Sequence, residues 1–129
     1  MPKLSQIASG GSFNPATDQI IVVRNGTTDV LTSLPGLRVI TAAGAVTMTG
    51  ADVIVEIAQT VPAACTVNLP SSPVTGQVQT VIDGAQNAST YPITLVPASG
   101  LINGQATAVI GLNGDSRDIY WNGTAWRIK

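Results

Sequence analysis

The chain contains no histidine in its 129 residues. Histidine is the commonest general base, the commonest metal ligand and the usual switch near neutral pH. Without it, Ser-His-Asp and Cys-His nucleophilic arrangements are excluded, as is a zinc site of mixed Cys and His ligands. Cysteine occurs once, at Cys65, so no internal disulfide can form and nothing asks for an oxidising compartment. Cys65 lies in the strand-like run ACTVNL and reads as a small buried hydrophobe rather than a reactive thiol. Charge is also scarce: 10% of residues are charged, against about 25% in an average soluble domain. Lys3, Arg24, Arg38, Arg117, Arg127 and Lys129 are scattered, with a net charge of −1. They offer neither the basic stripe that nucleic acid requires nor a polybasic patch for a membrane surface. No run approaches the roughly 18 consecutive apolar residues of a membrane helix. The opening MPKLSQIASGGS lacks the apolar stretch of a signal peptide. A soluble chain without a cleaved signal is expected.

What remains is mostly Val, Ile, Leu, Ala and Thr, with aromatics at only 4%. A soluble chain so poor in charge is expected either to bury apolar surface against partner subunits or to carry a polar, uncharged Thr-rich skin. Residues 1–18 are irregular, with Gly10-Gly11 and Asn14-Pro15 among isolated Leu4, Ile7 and Phe13. They read either as an extended arm with apolar anchors or as a disordered tail. QIIVVR and TTDVLT flank Asn25-Gly26. That dipeptide favours a type I′ turn because both central residues need positive φ, so a β-hairpin is predicted here.

From residue 37 onward, short alternating runs are punctuated by Gly, Pro and Asn-Gly. The runs are LRVITAA, AVTMT, DVIVEIAQT, CTVNL, QVQTVID, YPITLVP, QATAVIGL, RDIYW and AWRIK. Alternation places Val53, Val55 and Ile57 on one face and Asp52, Ile54 and Glu56 on the other. Asn122-Gly123 predicts a closing hairpin, with Trp126 cross-strand from a ring of Tyr120-Trp121. Strands recurring every 8–12 residues with turns between them are the signature of an all-β sandwich or barrel. No internal repeat is evident. The predicted organisation is an N-terminal arm and hairpin over 1–36, followed over 37–129 by a small antiparallel β-sandwich or barrel-like module.

The remaining chemistry is weak. Paired carboxylates can hydrolyse glycosides, but most of the acids stand in turns or at strand ends. Asp52 and Glu56 alone share a strand face at close spacing, and a solvated edge accounts for them. Asn113-Gly114-Asp115 with Asp118 lacks the spacing of a calcium loop and reads as a turn. Ser9-Gly10-Gly11-Ser12 has no lysine to serve as a phosphate loop. Three Asn-X-Ser/Thr triplets, at Asn25, Asn87 and Asn122, fall in turn-like segments and are attributed to chance. Tyr91, Tyr120 and Trp126 are candidates for stacking on sugar rings, although packing across the terminal hairpin is the simpler role. No catalytic residue, metal or cofactor is predicted.

The segments TVNLPSSPVTGQVQTVIDGAQNAS, ITLVPASGLINGQATAVI and IYWNGTAWRIK carry a fixed order of signals: NLP, TGQ, DG, I-T-L-x-P, I-N-G and W-N-G-T-x-W. This order resembles modules of bacteriophage tail fibres, head fibres and capsid-decorating proteins, from about Gly44 to Lys129. The opening MPKLSQIASGG with DQIIVVRNGTTDVLT is similar, more weakly, to the virion-attachment ends of such proteins. The resemblance implies a non-enzymatic protein of the virion surface, made in the host cytoplasm and assembled as a homotrimer. Its other partners would be virion proteins such as the major capsid protein or a tail or collar protein. Nucleic acid and membrane are not among the expected partners. The chain lacks any shaft or large tip, which favours a small decoration, cement or short-fibre subunit. Docking is expected through Leu4, Ile7, Phe13, Ile20 and Ile21. The alternative is a tail-fibre-type receptor or carbohydrate-binding module.

Overall fold

A computed structural model describes residues 20–24, 27–31 and 36–129. The chain divides into two units, Met1–Leu34 and Pro35–Lys129. In the first, β1 (Ile20–Arg24) and β2 (Thr27–Leu31) pair antiparallel, with Ile20 opposite Leu31 and Arg24 opposite Thr27. This is the hairpin that the Asn25-Gly26 punctuation predicts. Ile20 and Ile21 lie on β1; Leu4, Ile7 and Phe13 lie outside the described residues.

The second unit contains β3 (Leu37–Ile40), β4 (Val46–Thr47), β5 (Ile54–Ile57), β6 (Cys65–Asn68), β7 (Val78–Asp83), β8 (Ile93–Val96), β9 (Ala108–Ile110), β10 (Ser116–Trp121) and β11 (Trp126–Ile128). No helix occurs among the described residues. The strands form a five-stranded sheet, ordered β11-β10-β7-β5-β3, and a four-stranded sheet, ordered β4-β6-β8-β9. The chain alternates between them. β3, β5 and β7 are mutually parallel in one sheet, and β4, β6 and β8 are mutually parallel in the other. Each successive pair is therefore one turn of a two-sheet winding. The winding ends when β9 turns back on β8 and the β10–β11 hairpin turns back on β7, all antiparallel.

This corrects the antiparallel sandwich or barrel expected from turn spacing: both sheets are mixed, and neither closes into a barrel. The reason lies in the connections. The segments 41–45, 58–64 and 84–92 carry the isolated Gly or Pro that also punctuates hairpin loops, yet they take the chain across to the opposite sheet. A parallel pair needs a long return path, and here the return path contains a strand of the facing sheet. Both sheets keep one outer face, so the strands alternate inside and outside instead of reading as the continuous apolar runs of doubly covered parallel sheets. A hairpin meander and this winding share that pattern.

The inner faces meet in one core. Val55, Ile57, Val81, Ile119 and Trp126 come from the larger sheet, and Val46, Cys65, Val67, Ile93, Leu95 and Ile110 from the smaller. Met48, Leu69, Ala88 and Ile102 close it from the connections. Each fully buried Val, Leu or Ile contributes about 1.5–3 kcal/mol by leaving water. Alternation reads β5 correctly at Val55 and Ile57. Val53 fails because it precedes the strand, and it is 44% exposed. Cys65 is buried, as its sequence context indicates, and burial pushes its thiol pKa up. The closing hairpin sets Trp121 opposite Trp126 with ring centroids 5.7 Å apart in an edge-on arrangement.

Candidate assembly surface

The two outer faces differ in chemistry. Adjacent positions on the four-stranded sheet are Thr47–Asn68–Val96 and Thr66–Thr94–Val109, a mainly polar, uncharged skin. On the five-stranded sheet, one outward row runs Leu37–Ile54–Thr80–Asp118 and the next runs Val39–Glu56–Ile82–Ser116. At the β3–β5 side this face is apolar and open: Leu37 is 64% exposed, Val39 47% and Ile54 40%. Val78 and Tyr120 sit opposite each other farther along the same face. Three partly exposed apolar side chains, Leu37, Val39 and Ile54, are thus neighbours at one corner of the sheet.

The sheet edges differ too. An edge strand presents unpaired N–H and C=O groups unless something blocks them. The edge of β11 is covered by its own chain: the Trp126 amide donates to the Leu101 carbonyl (3.0 Å), and the Asn103 amide donates to the Trp126 carbonyl (3.0 Å). The Ile128 amide donates to Asn103 Oδ1 (3.2 Å). Asn103 and Gly104 both have positive φ, and that tight turn brings the 101–105 segment against β11. On β4, the Thr47 carbonyl at the edge accepts a hydrogen bond from Arg38 Nη2 (2.8 Å). On β3, Gly36 and Ile40 turn their carbonyls to β5, accepting from the amides of Ile54 (2.6 Å) and Ala58 (2.8 Å). Alternate residues of a parallel strand serve opposite neighbours. Leu37 and Val39 therefore direct their backbone groups to the outside.

Arg38 points inward between these two residues and ties the first turn of the winding together. Besides the Thr47 carbonyl it reaches Asp52 Oδ2 at 3.2 Å. The same oxygen accepts from the Thr49 amide (2.8 Å). Gln79, buried on β7, donates from Nε2 to the carbonyls of Thr49 (2.8 Å) and Asp52 (2.6 Å). The 49–52 turn is thus fixed from two sides. Asp52 is buried just ahead of β5, which corrects its expected place on a solvated edge beside Glu56. Glu56 itself is half-buried on the outer face, where its side chain lies over Gly84 and a methyl there would overlap it.

The aromatic residues are not brought to one surface. Tyr91 is exposed ahead of β8, Tyr120 is half-buried on β10, and Trp126 is 2% exposed inside the core. Trp126 is therefore unavailable for stacking on a sugar, because its ring fills the space between the sheets. The 112–115 turn spends its polar groups internally. Asn113 Oδ1 accepts from the Ser89 amide (2.9 Å). The Ser116 amide and the Arg117 guanidinium hold the Asp115 carboxyl below the usual carboxylate range. Among the described residues, no group of three or more His, Cys, Asp or Glu side chains could hold a metal ion. No protein-family model matches the chain, and no curated protein sequence matches it.

Sequence reasoning missed Arg38, Asp52, Gln79 and Asp83 as an internal polar framework. The parity of Gln79 and Asp83 with inward Val81 was the available signal, since alternate strand residues share a face.

Proposed function

We propose that this chain is a non-enzymatic structural subunit of a bacteriophage virion surface. It decorates or cements the capsid, or forms a short surface fibre. The observation that carries this reading is the apolar corner at Leu37, Val39 and Ile54 beside the β3 edge, against which no other described strand is set, on a chain with few charges. A rigid two-sheet module with one polar skin and one apolar, hydrogen-bond-hungry side suits a building block. The sandwich-like packing of the sheets around one core gives such a block stiffness. The resemblance to fibre and head-fibre modules supplies the virion setting and suggests threefold closure. In this reading copies of the chain contact one another, and Leu4, Ile7, Phe13, Ile20 and Ile21 dock on the capsid, collar or tail. The glycan-binding alternative has less support, since one of its three rings is in the core.

Replacing Phe13 and Ile20 with Asp in phage-infected cells is expected to abolish incorporation into particles. The purified variant should keep the far-ultraviolet spectrum and unfolding midpoint of the parent, because Pro35–Lys129 has its own core. Normal incorporation of a folded double variant would contradict the docking role.

A further inference from the structure

The β3 edge invites a more specific assignment, which rests on the self-association in the proposed function. We propose that a second copy of this chain occupies it, with β3 pairing antiparallel to the partner's β3 across a twofold axis at Val39.

Three observations lead to the second copy. First, among the described residues β3 is the longest sheet edge with nothing set against it. The β11 edge is occupied by residues 101–103, the Thr47 carbonyl of β4 is held by Arg38, and β9 is only three residues long. Second, the edge is complementary to itself. At Val39 the N–H and C=O both point outward, and an antiparallel copy of Val39 places donor against acceptor in both directions, while Leu37 comes to face Thr41, whose carbonyl already accepts from the Thr60 amide (3.1 Å). Third, charge selects the register. Centring the axis on Arg38 would set two like charges directly opposite, which disfavours a pair. Centring it on Val39 places Arg38 opposite Ile40 of the other copy, while each guanidinium stays balanced by its own Asp52. In that register Leu37, Val39 and Ile54 of both copies join in one apolar stripe along a continuous sheet. With a net charge of −1, the chains bring little long-range repulsion to the contact.

The contact is isologous, so it joins copies in pairs. A threefold contact elsewhere on the surface is compatible with it, as pairs of trimers.

The test uses the full chain carrying Val39→Cys, with Leu37→Cys as a control and the parent protein as a blank. Residues facing each other in a hydrogen-bonded antiparallel pair have Cα atoms about 5.5 Å apart. That lies within the roughly 4.4–6.8 Å span of a disulfide, and a short bis-maleimide relaxes the geometric demand. In the Val39 register the two Leu37 positions are four residues apart along the strands, roughly 13 Å. The native Cys65 is buried and should stay silent. The expected result is that the Val39→Cys protein cross-links to covalent dimer at least ten times faster than the Leu37→Cys protein, and the parent not at all. Equal rates for both variants would overturn the register and the proposal. Light scattering on the same samples separates the two levels of failure. An oligomer without a link at position 39 overturns the β3 contact and leaves self-association standing. A monomer overturns both, and a monomer whose new thiol resists reagents has that edge covered by its own chain.

Discussion

Truncation of Trp126 to alanine is expected to lower the unfolding free energy by about 3–5 kcal/mol, in the range of buried aromatic deletions. Domain stabilities are typically about 5–15 kcal/mol, so a loss this large leaves the protein close to its folding threshold. Trp126 is buried at the start of β11, where three things depend on it. Its ring packs edge-on against Trp121, its backbone pairs with β10, and its amide and carbonyl hold Leu101 and Asn103. The cavity would sit where the hairpin and the 101–105 segment join, so neither can close it without giving up hydrogen bonds. Trp121 is only half-buried, and its truncation should cost clearly less. Urea denaturation of the two variants checks the order. A loss below about 1 kcal/mol at Trp126 would contradict the placement of its ring between the sheets.

The second large effect is expected at Asp83. Its carboxyl is buried at the end of β7, and Oδ2 accepts from the amides of Ala88 (2.9 Å) and Gly114 (3.1 Å). One oxygen therefore pins the 84–92 crossover and the 111–115 turn to the same point. Asp83→Leu leaves both amides without a partner inside the protein. A buried unsatisfied donor costs about 1–3 kcal/mol, so a total of about 2–4 kcal/mol is expected after partial relaxation. Asp83→Asn keeps an acceptor for both amides but sets its NH2 group at the buried position of Oδ1, which has no hydrogen-bond partner, so it should cost about 1–2 kcal/mol, less than the leucine variant. Hydrogen exchange at Ala88 and Gly114 should accelerate in the leucine variant well beyond the change at Val81. A leucine variant as stable as the parent would contradict this role.

The value of the sequence for this fold varied with the kind of signal. Asn-Gly dipeptides marked where the chain reverses, although at Asn122-Gly123 only the glycine has positive φ and four residues separate Trp121 from Trp126, so the closing turn is not the two-residue type I′ turn expected there. The β1–β2 and β10–β11 pairs follow from them. Alternation located β6 and β8 with their inward residues Cys65, Val67, Ile93 and Leu95, since each sheet keeps one face in solvent; it located β7 as a strand without its inward Gln79 and Asp83. Connectivity was not legible. Gly44, Gly50 and Pro62 mark where the chain bends, and a bend into a hairpin and a bend across to another sheet use the same residues. The parallel winding is set by which strands share the core, a long-range choice that local spacing does not encode. The apolar corner was half-legible: scarcity of charge left either a covered apolar surface or a polar Thr-rich skin, and locating Leu37, Val39 and Ile54 side by side required the register of β3 on β5. Asp52 shows the same limit. Read with Glu56 as a pair of acids on one strand face it looks solvated, and only Arg38, fourteen residues earlier and on the neighbouring strand, makes its burial intelligible.

The central claim is that this chain is built to assemble with itself. Light scattering of the full chain on a size-exclusion column, at two concentrations a hundredfold apart, tests it most directly. The account predicts a mass above that of the 13.2 kDa chain that persists at the lower concentration. A single species of monomer mass at both concentrations would contradict it.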